Sequence, residues 1–95
     1  MKIHITPAQA LEITEDQFYS LFDEIVKRKD WANFHHKKIT IGKCIEILEP
    51  YTPKIENGRH WMMEIVTGKL PRYNFPTYQN KELCDCLWQA VKEIL

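Results

Sequence analysis

Hydrophobic and polar positions change period several times along this chain, and each change marks an element. "MKIHI" alternates Ile3 and Ile5 with polar neighbours, as a short strand or extended arm does. Thr6, Pro7 and Gln9 then form a helix start, with a capping residue, a first-turn proline and a reciprocal Gln three residues on, predicting a short turn of helix over 7–12. The device recurs at once: Thr14 caps, Gln17 sits at the third position, and Ile13 can staple onto Phe18. Phe18, Leu21, Phe22, Ile25 and Val26 fall at helical spacing behind it. Glu15 and Asp16 suit the first turn of such a helix, and Lys27, Arg28 and Lys29 its last, so the spacing predicts a helix over 15–29. Residues 30–38, "DWANFHHKK", read as a connector with two aromatics. Thr40 caps the next helix, 41–49, whose stripe is Ile41, Cys44, Ile45 and Leu48 and whose stop is Pro50. Gly42 in its first turn suggests a close backbone contact there.

The period then switches to two. Asn57-Gly58 between extended segments is a strong hairpin signal. In the second arm, "RHWMMEIV", Trp61, Met63 and Ile65 share one face, and Met62, Glu64 and Val66 share the other. Residues 67–69 make a further turn. "LPRYNFPTY" reads as a third strand or an extended loop, and Pro71 and Pro76 confine any strand to an edge. Asn80 caps the closing helix, "KELCDCLWQAVKEIL". At roughly 100° per residue its apolar arc spans about 200°, with Leu83, Leu87, Ala90, Val91 and Ile94 at the centre and Cys84 and Cys86 on opposite flanks. So wide an arc implies a helix that sits deep or also meets a partner.

The order (β)-α-α-β-β-(β)-α predicts an α+β fold: a small antiparallel sheet of two or three strands packed against three helices. Its 95 residues suit a single domain, 1–95, with a helical N-terminal part (1–36) and an α-β-β-α part (37–95).

Composition narrows function mainly by exclusion. Thirteen basic and thirteen acidic side chains cancel, so no global field recruits nucleic acid or an anionic membrane. Three cysteines cannot all pair, which argues for a reducing, cytoplasmic setting over a disulfide scaffold. The N-terminal stretch carries no targeting pattern, and no apolar run is long enough to span a membrane. The expectation is therefore no membrane association.

Candidate chemistry is sparse. Cys44, Cys84, Cys86, His4, His35, His36 and His60 are the soft donors, but C-x-C within a helix aims its thiols apart, against both a shared ion and a disulfide. They read as core thiols. His35-His36 reads as part of a solvated loop. With no phosphate-cradling glycine loop, no nucleophile motif and no paired carboxylates, neither an enzyme nor a cofactor or metal is expected. Two binding surfaces remain. Trp61, Arg72, Tyr73, Phe75 and Tyr78 have the aromatic and arginine character of a protein-contact loop, and Met62 and Val66, if exposed on the second sheet face, would invite a protein partner or a second copy. The alternative is a nucleic-acid surface in which Lys27, Arg28, Lys29, His35, His36, Lys37 and Lys38 are interleaved with the aromatics Trp31 and Phe34.

"TIGKCIEILE", the aromatic strand "HWMMEI" and "KELCDCLWQAVKEIL" together resemble a pattern in short proteins of phages and prophages of low-GC Gram-positive bacteria. The resemblance covers about 40–95. It implies a small accessory protein of a mobile element that acts by contact with a host protein, including host-defence factors. It carries over no catalytic residue.

Overall fold

The computed structural model describes residues 2–51, 53–64 and 77–95. Both N-terminal capping boxes form as their spacing requires. In α1 (Pro7–Ala10), Gln9 N–H donates to Thr6 Oγ1 while the Gln9 side chain accepts from Thr6 N–H. In α2 (Glu15–Ser20), Thr14 and Gln17 repeat the exchange. Each box satisfies two backbone groups that a helix start otherwise leaves to water.

The helix expected over 15–29 stops at Ser20. Two local bonds account for the early end. The Ser20 hydroxyl donates back to the Gln17 carbonyl at 2.6 Å, a competitor to helix propagation. The Tyr19 hydroxyl accepts from Arg28 N–H at 2.9 Å and lies 3.3 Å from the Arg28 carbonyl, which draws 21–30 back over α2 as an irregular segment. Phe18 is fully buried, and Leu21, Phe22 and Ile25 still pack on the core, but Val26 is 71% exposed. Lys27, Arg28 and Lys29 therefore do not close a helix.

The expected connector holds a helix of its own, α3 (Trp31–His35), continued by a 3₁₀ turn over His36–Lys38. Trp31, Ala32 and His35 enter the core, with the Trp31 ring 4.8 Å from that of Phe18. The extended arm then pairs with the entry to the next helix. Ile5 N–H donates to the Ile39 carbonyl and Ile41 N–H to the Ile3 carbonyl, with His4 opposite Thr40. Ile5 and Ile39 are both fully buried.

In α4 (Ile41–Leu48), Thr40 caps by accepting from Lys43 N–H. Cys44 and Leu48 are buried, flanked by Ile41 and Ile47. Ile45, expected on the buried stripe, is 39% exposed. The helix yields to a 3₁₀ turn, Glu49–Tyr51, that contains Pro50. Gly42 makes no close contact: a Cβ there would lie 3.7 Å from Thr40 Oγ1, an ordinary distance.

The hairpin joins β1 (Lys54–Asn57) to β2 (Trp61–Glu64), and β3 (Thr77–Asn80) completes an antiparallel sheet in the order β1-β2-β3. Asn57 is the last residue of β1, paired with Trp61. The turn is thus Gly58–His60, closed by Gly58 N–H donating to the His60 carbonyl, one step later than an Asn-Gly turn places it. β3 lies at an edge of the sheet; the rest of the expected 70–78 segment, the turn expected over 67–69, and Ile65 and Val66 lie outside the described residues.

The chain ends in α5 (Leu83–Ile94). Asn80 does not cap it. Its side-chain oxygen accepts from Glu82 N–H in the preceding turn, and Glu82 is the capping position. Leu83, Cys84, Cys86, Leu87, Trp88, Ala90 and Val91 are all buried. One flank of α5 packs on β2 and β3 and the other on α4, so the wide apolar arc is used inside the domain. The fold is α+β, with five α-helices among the described residues where three, besides the short helical turn over 7–12, were expected. None of them is long and apolar enough to cross a membrane.

Two substitutions test this packing. Trp88→Ala removes a buried indole from the joint between layers and should cost about 3–5 kcal/mol, read by urea denaturation. Gly42→Ala should stabilise by about 0.5 kcal/mol, because the site has room and the unfolded chain loses freedom. A destabilising Gly42→Ala would show a close contact that this packing lacks.

Candidate functional site

The groups that most resemble chemistry are turned inward. Cys86 Sγ lies 3.4 Å from the Tyr78 carbonyl oxygen and 3.7 Å from that of Trp61, against the sheet backbone. Cys84 lies on the opposite flank, near Cys44 of α4. Burial pushes all three thiols up, that of Cys44 to about 12, with the neighbouring Cys84 adding to the rise. A thiol held neutral in an apolar setting is a poor nucleophile. Among the described residues, no three or more His, Cys, Asp or Glu side chains gather where one ion could hold them.

The polar side of α5 is also spoken for. Lys2 Nζ donates to Asp85 Oδ1 at 2.6 Å and to Gln9 Oε1 at 2.6 Å, and Gln9 Nε2 donates to the same Asp85 oxygen at 2.8 Å. One helical turn on, Trp88 Nε1 donates to Glu12 Oε1 at 3.2 Å and Lys92 Nζ to Glu12 Oε2 at 2.8 Å. These two clamps fasten the arm and α1 to α5. Burial raises the Asp85 carboxyl, but the bonds from Lys2 and Gln9 outweigh it and hold the group below its ordinary value. For Glu12 the bond from Lys92 dominates, opposed by burial and helped by Trp88, with the same net direction.

The residues expected to contact a protein separate into two groups. Arg72, Tyr73 and Phe75 lie outside the described residues. Trp61 and Tyr78 are half-buried and pack against the core, so much of their apolar area is already used inward. Tyr78 stands opposite Met63, and Met63 opposite Ile55, on the sheet face that meets α5. The other face carries Lys54, Glu56, Glu64 and Gln79 around Met62, its one apolar side chain among the described residues.

The basic-aromatic segment is partly corrected. Trp31 (9% exposed) and His35 (1%) are core residues and cannot stack on a nucleotide base. The His35 ring lies in the core beside Phe18, with Nε2–H donating to the Val26 carbonyl at 2.8 Å and Nδ1 without a hydrogen-bond partner among the described residues. His36 is half-buried, its Nδ1 bound to the carbonyls of α3. Lys27, Arg28, Lys29, Lys37 and Lys38 are exposed. Phe34, the other aromatic of that segment, does lie on the surface: it is 54% exposed, and the Arg28 guanidinium lies 4.0 Å from its ring centre. Arg28 Nε also donates to Asp30 Oδ1 at 2.9 Å. The outward aim of Phe34 follows from α3, because burying Trp31, Ala32 and His35 turns it to the opposite face.

The chain matches no family model, no curated protein and no solved structure.

The clamps predict an acid-sensitive fold. A carboxylate held below its unfolded value contributes stability above that value and loses it as pH falls through the folded one. With ordinary values of 3.8 for Asp and 4.5 for Glu, the thermal midpoint should stay level from neutral pH to about 5, then fall. Asp85→Asn should cost about 1 kcal/mol at pH 7, discounted for its part exposure, and make the acid limb shallower. An unchanged acid limb would remove the Asp85 clamp from the account.

Proposed function

We propose that this chain is a small non-enzymatic binding protein, an accessory protein of phage or mobile-element type. It acts in the host cytoplasm by contact with a host protein, with defence factors as the class its resemblance suggests. One observation carries the reading: Phe34 and Val26 stay exposed beside Arg28, on a segment (26–38) with five exposed cations and a single acid, Asp30. An exposed aromatic with an arginine already laid over it is a pre-ordered anchor, because little side-chain freedom is left to lose on binding. The excess of cations suits an acidic patch on the partner. Arg72, Tyr73 and Phe75 belong to the same proposal on the grounds of their residue types.

The inward aim of all three thiols supports a role without covalent chemistry. A nucleic acid is the second reading, favoured by the exposed lysines around Phe34 and weakened by the burial of Trp31 and His35.

The test is quantitative capture from host extract with wild type, Phe34→Ala and Arg28→Glu, each first shown to be folded by circular dichroism. A protein retained by wild type should bind Phe34→Ala about 2 kcal/mol more weakly and escape Arg28→Glu. Equal retention by all three would move the contact away from this segment. A shift of labelled single-stranded oligonucleotide at low salt, lost on neutralising Lys27, Lys29, Lys37 and Lys38, would instead install the second reading.

A further inference from the structure

The fold brings together two histidines that stand 32 positions apart in the chain, His4 on the arm and His36 in the turn before α4. Their ring centroids are 5.4 Å apart and the rings are inclined at 66°. Both are half-buried. His4 Nδ1 lies 2.8 Å from the Ile5 carbonyl oxygen, and His36 Nδ1 lies 3.0 Å from those of both Ala32 and Asn33. A carbonyl oxygen can only accept, so in each ring the proton sits on Nδ1. In the neutral imidazole that leaves Nε2 as a free lone pair. This is the tautomer of a metal-binding histidine, whose second nitrogen is commonly fixed by a backbone carbonyl.

From this arrangement we infer that His4 and His36 form a two-histidine site for a borderline divalent ion such as Zn²⁺, Ni²⁺ or Cu²⁺. Metal–nitrogen bonds of about 2.0–2.1 Å at a tetrahedral angle place two imidazole centroids about 5 Å apart, close to the separation found. Neither ring has to be recruited from a mobile segment. His4 stands opposite Thr40 in the bridge between arm and helix, and the adjoining Ile5 and Ile39 are fully buried and hydrogen-bonded to each other. Imidazole donors select this class of ion over Mg²⁺ or Ca²⁺, which prefer oxygen. Two protein ligands leave the other positions to water, so the ion is exchangeable and the fold does not depend on it. His36 lies within the segment 26–38 that also carries Phe34, but the uptake of an ion does not rest on the reading of that segment as a binding surface.

The experiment is titration of the metal-free protein with Zn²⁺ by calorimetry, with a long-range ¹H–¹⁵N spectrum of the histidine rings. Wild type should take up one ion per chain, and the Nε2 signals of His4 and His36 should move while their Nδ1 protons stay. His4→Gln and His36→Gln should each weaken uptake about tenfold or more, and His60→Gln, on the exposed hairpin turn, should leave it unchanged. Three results would each overturn the inference: no saturable uptake by wild type, equal uptake by the His4 and His36 variants, or ring protons found on Nε2. The ring spectrum of wild type decides the tautomer even where a variant fails to fold.

Discussion

The structure depends on the burial of one helix. The sheet has three short strands, and so small a sheet needs apolar cover on one face to be stable in water. The helices of the N-terminal part are four to six residues long, well below the length at which an isolated helix holds. Both parts therefore rely on α5. Its seven buried side chains fill the space between the sheet and α4, and its polar edge supplies the partners for Lys2, Gln9 and Glu12. Removing the helix would uncover the sheet face and leave the N-terminal part held only by its own contacts and by the pairing of the arm with residues 39–41.

That arrangement decides what the reactive-looking residues can do. Cys84 and Cys86 occupy opposite flanks of α5 because a spacing of two turns a helix by about 200°. One thiol consequently meets α4 and the other the sheet, and burial keeps both protonated. The same logic applies to His35, whose ring fills core volume beside Phe18 while its Nε2–H satisfies a loop carbonyl. The segment 26–38 by contrast keeps five cations and a phenyl ring exposed, with an arginine held over that ring by Asp30.

Local rules made part of this legible from sequence. The capping boxes at Thr6 and Thr14, the hairpin near Asn57 and the depth of the final helix each follow from interactions within a few residues or from one helical period. The failures have a common cause. The stripe from Phe18 to Val26 has helical spacing, yet the Tyr19 hydroxyl binds both backbone groups of Arg28, and that longer-range bond wins over continued helix. Once the helix breaks, α3 forms in the presumed connector and carries Trp31 and His35 inward. The pairing of His4 with His36 was illegible for the same reason, since it exists only because the arm lies against residues 39–41.

Native-state hydrogen exchange tests the central claim most directly. If α5 holds both layers, the amides of Leu87–Val91 and the paired amides of β2 should exchange at the same slow rate, by global unfolding alone. They should also respond equally to added denaturant. Exchange of the α5 amides through a lower-energy local opening, while the sheet stays protected, would contradict it.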